Sequence, residues 1–396
     1  MICFYIISLV LILIGVFLFL ISILKSSDYK FKLKPRTSNE FAILIPARDE
    51  SKVIEGLLKS IKKQIDNLES TYIIVESLDD PTCLISKKYN ANIILKKDLT
   101  KKRKGYALDD AIKEIILKKH YDLYFIFDAD NILEKDFIEK MLETYQKGYD
   151  IGVGYRNIKN GDNVISACSG LTFSIVNVIN EIKNKLKKVV AISGTGYFIS
   201  GDIINKLESF PFISLTEDYE ISLYAQANNL STFYNKNAIF YDEQPKKMSV
   251  SIKQRTRWIK GFFEARKIRL KNIKNNLARY LGLIPYLFIV SGLFLFIFSN
   301  LFGTIYFYII SSEQIIFTLI ILISIILIIY IILFLFTWLI IIKDKKINLN
   351  TFLKIKTVLF NPIFLASYLN CFIKAITKKE IKWDRIEHIE NKLKKY

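Results

Sequence analysis

The sequence predicts an α/β domain built on a mainly parallel sheet and carried by membrane-spanning and interfacial helices. From residue 41 onward, short apolar β-rich runs alternate with amphipathic helical stretches, and long uncharged apolar runs lie on either side of that region. Of the 396 residues, 51% are hydrophobic and mean hydropathy is positive. That is more apolar material than a soluble domain of this size needs.

Met1 to Leu24 carries no charge and is long enough to cross a hydrocarbon core of about 30 Å at 1.5 Å per residue. It lacks the basic start and small-residue cleavage site of a signal peptide, so it reads as an uncleaved anchor. Phe41–Ile45, Tyr72–Val75, Asn92–Leu95 and Leu123–Phe127 read as strands with helices between them, the pattern of a sheet covered on both faces. Past Tyr155 the alternation weakens. A long helix is expected from Val164 to Leu186, then a turn at Ser193-Gly194-Thr195-Gly196, a short run Tyr197–Ser200 and a helix beginning near Glu217. Ser249 to Leu270 places Trp258, Ile259, Phe262 and Ala265 on one helical face, flanked by Lys253, Arg255, Lys260 and Lys267. Such a basic amphipathic helix belongs in a membrane interface or against the soluble core. Leu281–Ile310 and Ile315–Ile342, joined by Ser311-Ser312-Glu313-Gln314, read as a transmembrane hairpin. Phe352–Ile376 is broken by Lys354, Lys356, Asn361-Pro362, Asn370 and Lys374, and reads as an interfacial or re-entrant segment. The expected divisions are therefore an anchor at 1–25, a globular domain at 26–275, a hairpin at 276–345, and an interfacial or membrane segment with a basic tail at 346–396.

Lys30, Lys32, Lys34 and Arg36 follow the first span, Lys274 and Arg279 precede the second, and Lys343, Lys345 and Lys346 follow the third, whereas the hairpin turn has neither Lys nor Arg. The positive-inside tendency then puts the globular region in the cytoplasm and the N-terminus outside, as in a multi-pass protein of the cell membrane. The formal charge of +19 is spread over helices and membrane flanks with no nucleic-acid module. Anionic membrane lipids, and not nucleic acid, are the expected partners of that charge. Cys3, Cys83, Cys168 and Cys371 show no paired spacing, so neither a disulfide framework nor a zinc site is expected.

In such sheets, ligands bind beyond the carboxyl ends of the strands. Pro46-Ala47-Arg48-Asp49-Glu50, Glu76 to Asp80 and Asp128-Ala129-Asp130 all fall there. Two carboxylates one residue apart at a strand end suit a hard divalent cation, Mg²⁺ or Mn²⁺, bridging a nucleotide diphosphate. Asp130 is the expected metal ligand and Asp128 its partner, against the alternative of two solvated turn residues. Lys104-Gly105 opens a helix after basic Lys101 to Arg103, where a cation and free N–H groups suit phosphate. Glu50, Glu76, Asp79 and Asp80 are placed to bond a base and ribose, and Asp79 or Asp80 also to cap the helix at Pro81. Thr216-Glu217-Asp218 starts a helix, with Asp218 a candidate base for an acceptor hydroxyl or a helix cap. In Gln254-Arg255-Thr256-Arg257-Trp258, Arg257 and Arg255 suit a diphosphate, while Gln254 and Trp258 suit a sugar acceptor, unless Trp258 is an interfacial anchor.

In this order, Asp128-Ala129-Asp130, Thr216-Glu217-Asp218 and Gln254 to Trp258 resemble the DxD, TED and QxxRW motifs of family 2 glycosyltransferases, inverting nucleotide-sugar enzymes with a GT-A fold. The likeness is closest to membrane synthases of cellulose, chitin, hyaluronan and poly-N-acetylglucosamine. It runs from Phe41 through Trp258 and, in topology, over nearly the whole chain. The resemblance implies Asp218 as general base, Gly194, Thr195 and Glu217 near the acceptor, and Glu50, Glu76 and Lys104 around uridine diphosphate. It implies a UDP-sugar donor, UDP-GlcNAc or UDP-glucose, and a growing glycan or a lipid as acceptor. Two departures stand out: Glu76-Ser77 occurs where the family usually has two Asp, and Trp383 to His388 resembles its mobile tryptophan motif with Ile386 in place of Thr.

Overall fold

The computed structural model describes residues 2–25, 33–269 and 312–378, with single residues between 288 and 302 and between 388 and 395. Most of the predicted span Leu281–Ile310, together with Lys274, Arg279 and Trp383 to Glu387, lies outside the described residues. The chain forms two compact units, one of residues 1–29 and 270–336, the other of residues 30–269 and 337–396.

The second unit is organised around an eight-stranded sheet in the order β3-β2-β1-β4-β7-β6-β8-β5. Its first half is parallel: β3 (Asn92–Leu95), β2 (Thr71–Val75), β1 (Phe41–Pro46) and β4 (Leu123–Ile126). β1, β2 and β4 read as apolar runs because both sheet faces are covered there, whereas the edge strand β3 leaves Asn92 and Leu95 exposed. Ile43 and Ile45 face one buried cluster and Ala42 and Leu44 the other. α2 (Ile54–Lys62) contributes Ile54, Leu57, Leu58 and Ile61 to one face, and α4 (Lys104–Ile116) contributes Leu108, Ala111, Ile112 and Ile115 to the other. This is the one-sided spacing that buries a helix stripe, and each large side chain so covered is worth roughly 1.5–3 kcal/mol. α3 (Pro81–Lys88) starts with proline at its first position, and Asp80 caps it by accepting from Thr82 N at 2.8 Å; a proline there loses no helical hydrogen bond.

The second half of the sheet is where structure and sequence pattern part. β7 (Tyr197–Ser200) runs antiparallel to both β4 and β6 (Ile151–Ile158). β8 (Thr232–Asp242) is parallel to β6, and the two-residue β5 (Ile132–Leu133) closes the edge against it. Neither β6 nor β8 is predicted from the sequence. Gly152 and Gly154 dilute the apolar pattern of β6, and their missing side chains make room for the rings of Phe198 and Phe137. β8 carries Asn235-Lys236-Asn237 through a register jump, with Gly154 opposite Asn235 but Tyr155 opposite Ile239. α5 (Phe137–Gln146), α7 (Gly201–Leu207) and α8 (Glu217–Ala227) complete the layers.

Among the described residues, three helices are long and apolar enough to cross a membrane: α6 (Val164–Lys185), Leu322–Lys343 within α10 (Ser312–Lys343), and the segment Thr351–Thr377. α1 (Ile2–Lys25) and α10 coincide with the first and third predicted spans, α10 beginning inside the predicted turn. α6 opens with a capping box between Asn163 and Ser166 and buries Ala167, Leu171 and Val178 against Ile158, Ile347 and Leu349. Thr351–Thr377 divides near Ser367 into α11 (Thr351–Ala366) and α12 (Tyr368–Thr377).

α9 (Met248–Arg269) departs from the predicted amphipathic pattern. Its buried positions include Arg255 and Arg266, while Trp258, Ile259 and Phe262 are only partly covered. Arg255 does not face the diphosphate position anticipated for it. Its guanidinium lies 4.0 Å from the ring centre of Phe364 and 4.5 Å from that of Tyr368, and it donates to the Phe364 carbonyl at 3.2 Å. A guanidinium tolerates such burial because aromatic faces attract its charge. Lys260 extends the seam by donating to the carbonyls of Ala375 and Lys378 at the end of α12.

Gly105, in the first turn of α4, lets the helix meet the chain at Phe212. A Cβ there would fall 2.0 Å from the Phe212 carbonyl oxygen. Gly105→Ala should destabilise the protein by about 1–3 kcal/mol, read as a lower melting temperature of the detergent-solubilised protein; an unchanged melting temperature would contradict this packing.

Candidate active site

Strand direction gathers the site. The carboxyl ends of β1, β2, β4, β6 and β8 open on one edge of the sheet, and antiparallel β7 begins there, Tyr197 pairing with Ile126. A cavity of about 450 Å³ on that edge is lined by Glu50, Glu76, Lys104, Asp128, Asp130, Gly194, Glu217, Asp218, Gln254, Arg257 and Trp258. Most of the residues proposed from the sequence therefore converge on a single space, whereas Asp79, Asp80, Thr195 and Arg255 do not line it.

Of these, Thr195 is fully buried. Its hydroxyl accepts from Asp128 N at 2.8 Å and donates to Asn131 Oδ1 at 2.5 Å. Thr195 braces the Asp128 loop instead of facing an acceptor, because Gly194 (φ +85°) and Gly196 (φ +67°) turn the chain inward around it. At Gly196 the turn presses so close to Phe240 that a Cβ would fall 2.1 Å from its ring.

At one end of the cavity, Asp128, Asp130 and Asp242 each bring a carboxylate oxygen within 4.8 Å of the others. Asp242 is missing from the sequence reading because β8 was not recognised, although the apolar run Ala238–Tyr241 before it repeats the signal that singled out Asp128. Asn131 donates to Asp242 Oδ1 at 2.9 Å, Glu243 N to Asp130 Oδ2 at 3.0 Å, and buried Lys159 to the Asp130 carbonyl at 2.6 Å. Arg156, also missed, holds Asp242 Oδ2 through Nε at 3.1 Å and Nη2 at 2.5 Å. A set of three hard carboxylate oxygens fits Mg²⁺ or Mn²⁺.

The charges are finely matched. Burial pushes Asp242 up to about 6 against the pull of Arg156. At Asp130 burial also opposes ionisation, but His388, Lys159 and Arg156 outweigh it and hold the carboxyl below its ordinary range. His388, a described residue of the tail, lies 3.3 Å from Glu50. Burial disfavours its imidazolium, yet Asp130, Glu50 and Glu243 raise it to about 10. Lys104 spans the middle of the cavity, 2.5 Å from Asp128 Oδ1, 2.7 Å from the Gly194 carbonyl and 3.9 Å from Glu217. Burial works against its charge, and the neighbouring carboxylates more than restore it.

Beyond Lys104 lies a second acidic group. Burial raises Glu217 to about 8, with Lys104 opposing the effect and Asp218 adding to it. Asp218 is raised as well, chiefly by burial, and accepts from Tyr219 N at 2.8 Å. Thr216 makes no side-chain cap to α8, and Asp218 Oδ2 points toward the Gly194 turn, 3.5 Å from where a Cβ of that glycine would stand. Trp258 meets Phe173 edge-on at 5.7 Å, and Gln254 Oε1 has no hydrogen-bond partner among the described residues. At the opposite end, Glu76 pairs with Arg48 at 3.3 Å and with Lys96 at 3.5 Å. Asp80 lies outside the cavity and serves as the α3 cap while also accepting from Asp49 N at 2.7 Å.

Comparison with known proteins agrees with this arrangement. The profile of the glycosyl transferase family group 2 matches residues 125–342, and that of glycosyl transferase family 2 matches residues 42–207. The chain belongs to the family 2 glycosyltransferases. It is 26% identical over 236 residues to the probable glycosyltransferase YdaM of Bacillus subtilis, and 23% identical over 228 residues to the poly-beta-1,6-N-acetyl-D-glucosamine synthase of Staphylococcus epidermidis. Each match covers 56% of this chain and 54% of the relative, so the matched region spans about half the length of these relatives. The fold is similar to that of the mannosyltransferase PcManGT from Pyrobaculum calidifontis, solved with GDP-Man and Mn²⁺, at a TM-score of 0.60 and 12% identity over 95% of this chain and 100% of that one. The domain is thus a GT-A fold.

If Asp242 completes the metal site, Asp242→Asn should weaken Mn²⁺ binding by roughly 10–100-fold with the fold preserved. Titration of Mn²⁺ followed by electron paramagnetic resonance checks this, and unchanged affinity would remove Asp242 from the ligand set.

Proposed function

We propose that this chain is a membrane-bound inverting glycosyltransferase that takes a UDP-sugar and extends a β-linked extracellular glycan from the cytoplasmic side of the cell membrane. The carrying observation is that one cavity joins the Asp128–Asp130–Asp242 cluster to Asp218, Gln254, Arg257 and Trp258. A donor diphosphate and an acceptor hydroxyl can be held there in one line. The 23% identity to a polysaccharide synthase supports a polymeric product.

In this reading Glu50, Glu76 and the cations beside Glu76 receive the nucleoside. Trp258 offers a flat apolar face to the acceptor sugar and Gln254 an amide to its hydroxyls. Asp218 takes the proton of the acceptor hydroxyl as its oxygen attacks the anomeric carbon. The bond from that carbon to the diphosphate breaks, and UDP leaves with the electron pair. Lys104 and Arg257 hold the charge that develops on the departing diphosphate. A divalent cation held by Asp128, Asp130 and Asp242 would supply Lewis-acid neutralisation of the same oxygens. One displacement inverts the centre, so an α-linked donor gives a β-linkage. Glu217, whose protonated form is favoured by burial, can in that form donate a hydrogen bond to the acceptor without repelling Asp218.

The membrane assignment is drawn from α1, α10 and the paired α11 and α12. Phe352, Ile355, Leu359 and Ile363 of α11, and Leu369, Ile373 and Ile376 of α12, are exposed, while Leu353, Val358, Phe364, Cys371 and Ala375 face inward. An apolar stripe on a helix whose other face packs on the protein suits burial in the lipid interface. This stripe favours one alternative, transfer of a single sugar to a lipid acceptor, since α12 packs directly on α9, the helix that carries Trp258.

The purified enzyme in nanodiscs, given UDP-GlcNAc, UDP-glucose or GDP-mannose with Mn²⁺, should release UDP and form long chains. A single-sugar lipid product would establish the alternative, and turnover only with the guanosine donor would refute the UDP assignment. Asp218→Asn should keep nucleotide binding while turnover falls at least 1000-fold, in the range expected for loss of a general base. Because a base must be ionised and Asp218 is raised, wild-type turnover should fall with decreasing pH at values above the ordinary aspartate figure of about 3.9.

A further inference from the structure

The metal end of the cavity depends on Arg156 meeting Asp242 across the β6–β8 ladder, and that ladder is irregular immediately before the contact. Between Gly154–Asn235 and Tyr155–Ile239 the register jumps, leaving Lys236, Asn237 and Ala238 without partners on β6. Beyond such a bulge the pairing of two strands is weakly specified by the ladder alone. Asn235 ties the start of the bulge to α5 by donating to the Lys140 carbonyl at 2.9 Å.

Past the bulge the ladder resumes over Tyr155–Ile158, α6 adds one tie through Asn177, which donates to the Arg156 carbonyl at 3.0 Å, and the chain that leaves α10 adds several more. Tyr155 Oη donates to Asp344 Oδ1 at 2.6 Å, both residues being buried. Asn157 donates to the Lys346 carbonyl at 2.8 Å, and its Oδ1 accepts from Asn348 N at 2.9 Å. Asn348 Nδ2 donates to the Ile158 carbonyl at 2.9 Å. Lys346 reaches across to β8, donating to the Lys236 carbonyl at 2.7 Å and to Asn237 Oδ1 at 3.1 Å, inside the bulge. Ile347 and Leu349 pack into the cluster of Ile158, Leu171 and Val178. The residues gripped on β6 stand on either side of Arg156, which also donates to the Ser193 carbonyl and lies 3.6 Å from the ring centre of Phe173.

We propose that the segment Asp344–Asn350 leaving α10 is a positioning element for the carboxylate cluster: by tying Tyr155, Asn157 and Ile158 of β6 to Lys236 and Asn237 of β8, it sets the register in which Arg156 holds Asp242. None of its side chains lines the cavity, so it acts through β6. The membrane-adjacent helix thereby contributes to metal and donor geometry as well as to anchorage. This inference rests on the metal-dependent reading above.

The test uses the full-length protein in nanodiscs, with Mn²⁺ affinity read by electron paramagnetic resonance alongside kcat and the donor KM. Tyr155→Phe removes one oxygen from the core, and Asn348→Ala removes one donor. Each should weaken Mn²⁺ binding roughly 10-fold and lower kcat by a similar factor, with melting temperature and nucleotide binding in the absence of metal little changed. Asp344→Ala should behave likewise, and Asp344→Asn, which still offers an oxygen to Tyr155, should recover most of the affinity. Wild-type Mn²⁺ affinity and kcat in Tyr155→Phe and Asn348→Ala would overturn the proposal, as would losses explained by a parallel drop in melting temperature that Asp344→Asn fails to rescue. A wild-type protein that turns over donor without binding Mn²⁺ would overturn the metal-dependent reading itself and the proposal with it.

Discussion

Carboxylates drawn from separate stretches of the chain crowd one cavity, and each buried one costs free energy unless a cation or hydrogen bond compensates it. Much of the domain can be understood as meeting that demand. α4 begins where it does so that Lys104 can stand between Asp128 and Glu217. β6 delivers Arg156 to Asp242, and the tail returns His388 to Glu50. In the proposed reaction, an incoming diphosphate and its cation enter a lattice of charges already fixed in place. Little reorganisation is then needed when negative charge moves to the leaving group.

Antiparallel β7, set between β4 and β6, makes this possible. A purely parallel arrangement would leave the Gly194 turn at the opposite edge from the DxD loop, whereas antiparallel β7 starts beside the end of β4. β6 is antiparallel to β7 in turn, so β6 and β8 run in the direction of β1 and β4. Residues of the Asp128–Asp130 loop, the Gly194 turn and α9 therefore line one cavity although some are separated by more than a hundred residues.

How far the sequence shows this depends on how each element is covered. β1, β2 and β4 are legible because they are buried on both faces and read as apolar runs, and β3 because it is a short apolar run at the edge; their boundaries differ from the predicted ones by at most a residue. β6 and β8 are hidden by glycines that accommodate Phe137 and Phe198 and by a polar bulge, and Asp242 and Arg156 were hidden with them. Thr195 was misjudged because a residue between two glycines at positive φ can turn into the core as readily as outward. Arg255 was misjudged because its charge suggested solvent or phosphate, while the rings that shelter it lie more than a hundred residues later. Cavity residues that sit in short sequence motifs are readable; those such as Arg156 and Asp242, brought in by strands without a clear apolar pattern, are not.

The burial of α6 has a consequence for topology. By length and apolarity it qualifies as a membrane crossing, yet it packs against β6 and supplies Phe173 to the cavity. An algorithm that counts apolar segments would add one crossing at residues 164–185 and change the parity of everything after it. Asp128 and Asp218 would then fall on opposite sides of a bilayer, although both line the same cavity. Side-of-membrane assignments for this chain, including reporter-fusion maps interpreted against such a count, must begin from three-dimensional burial and not from hydropathy.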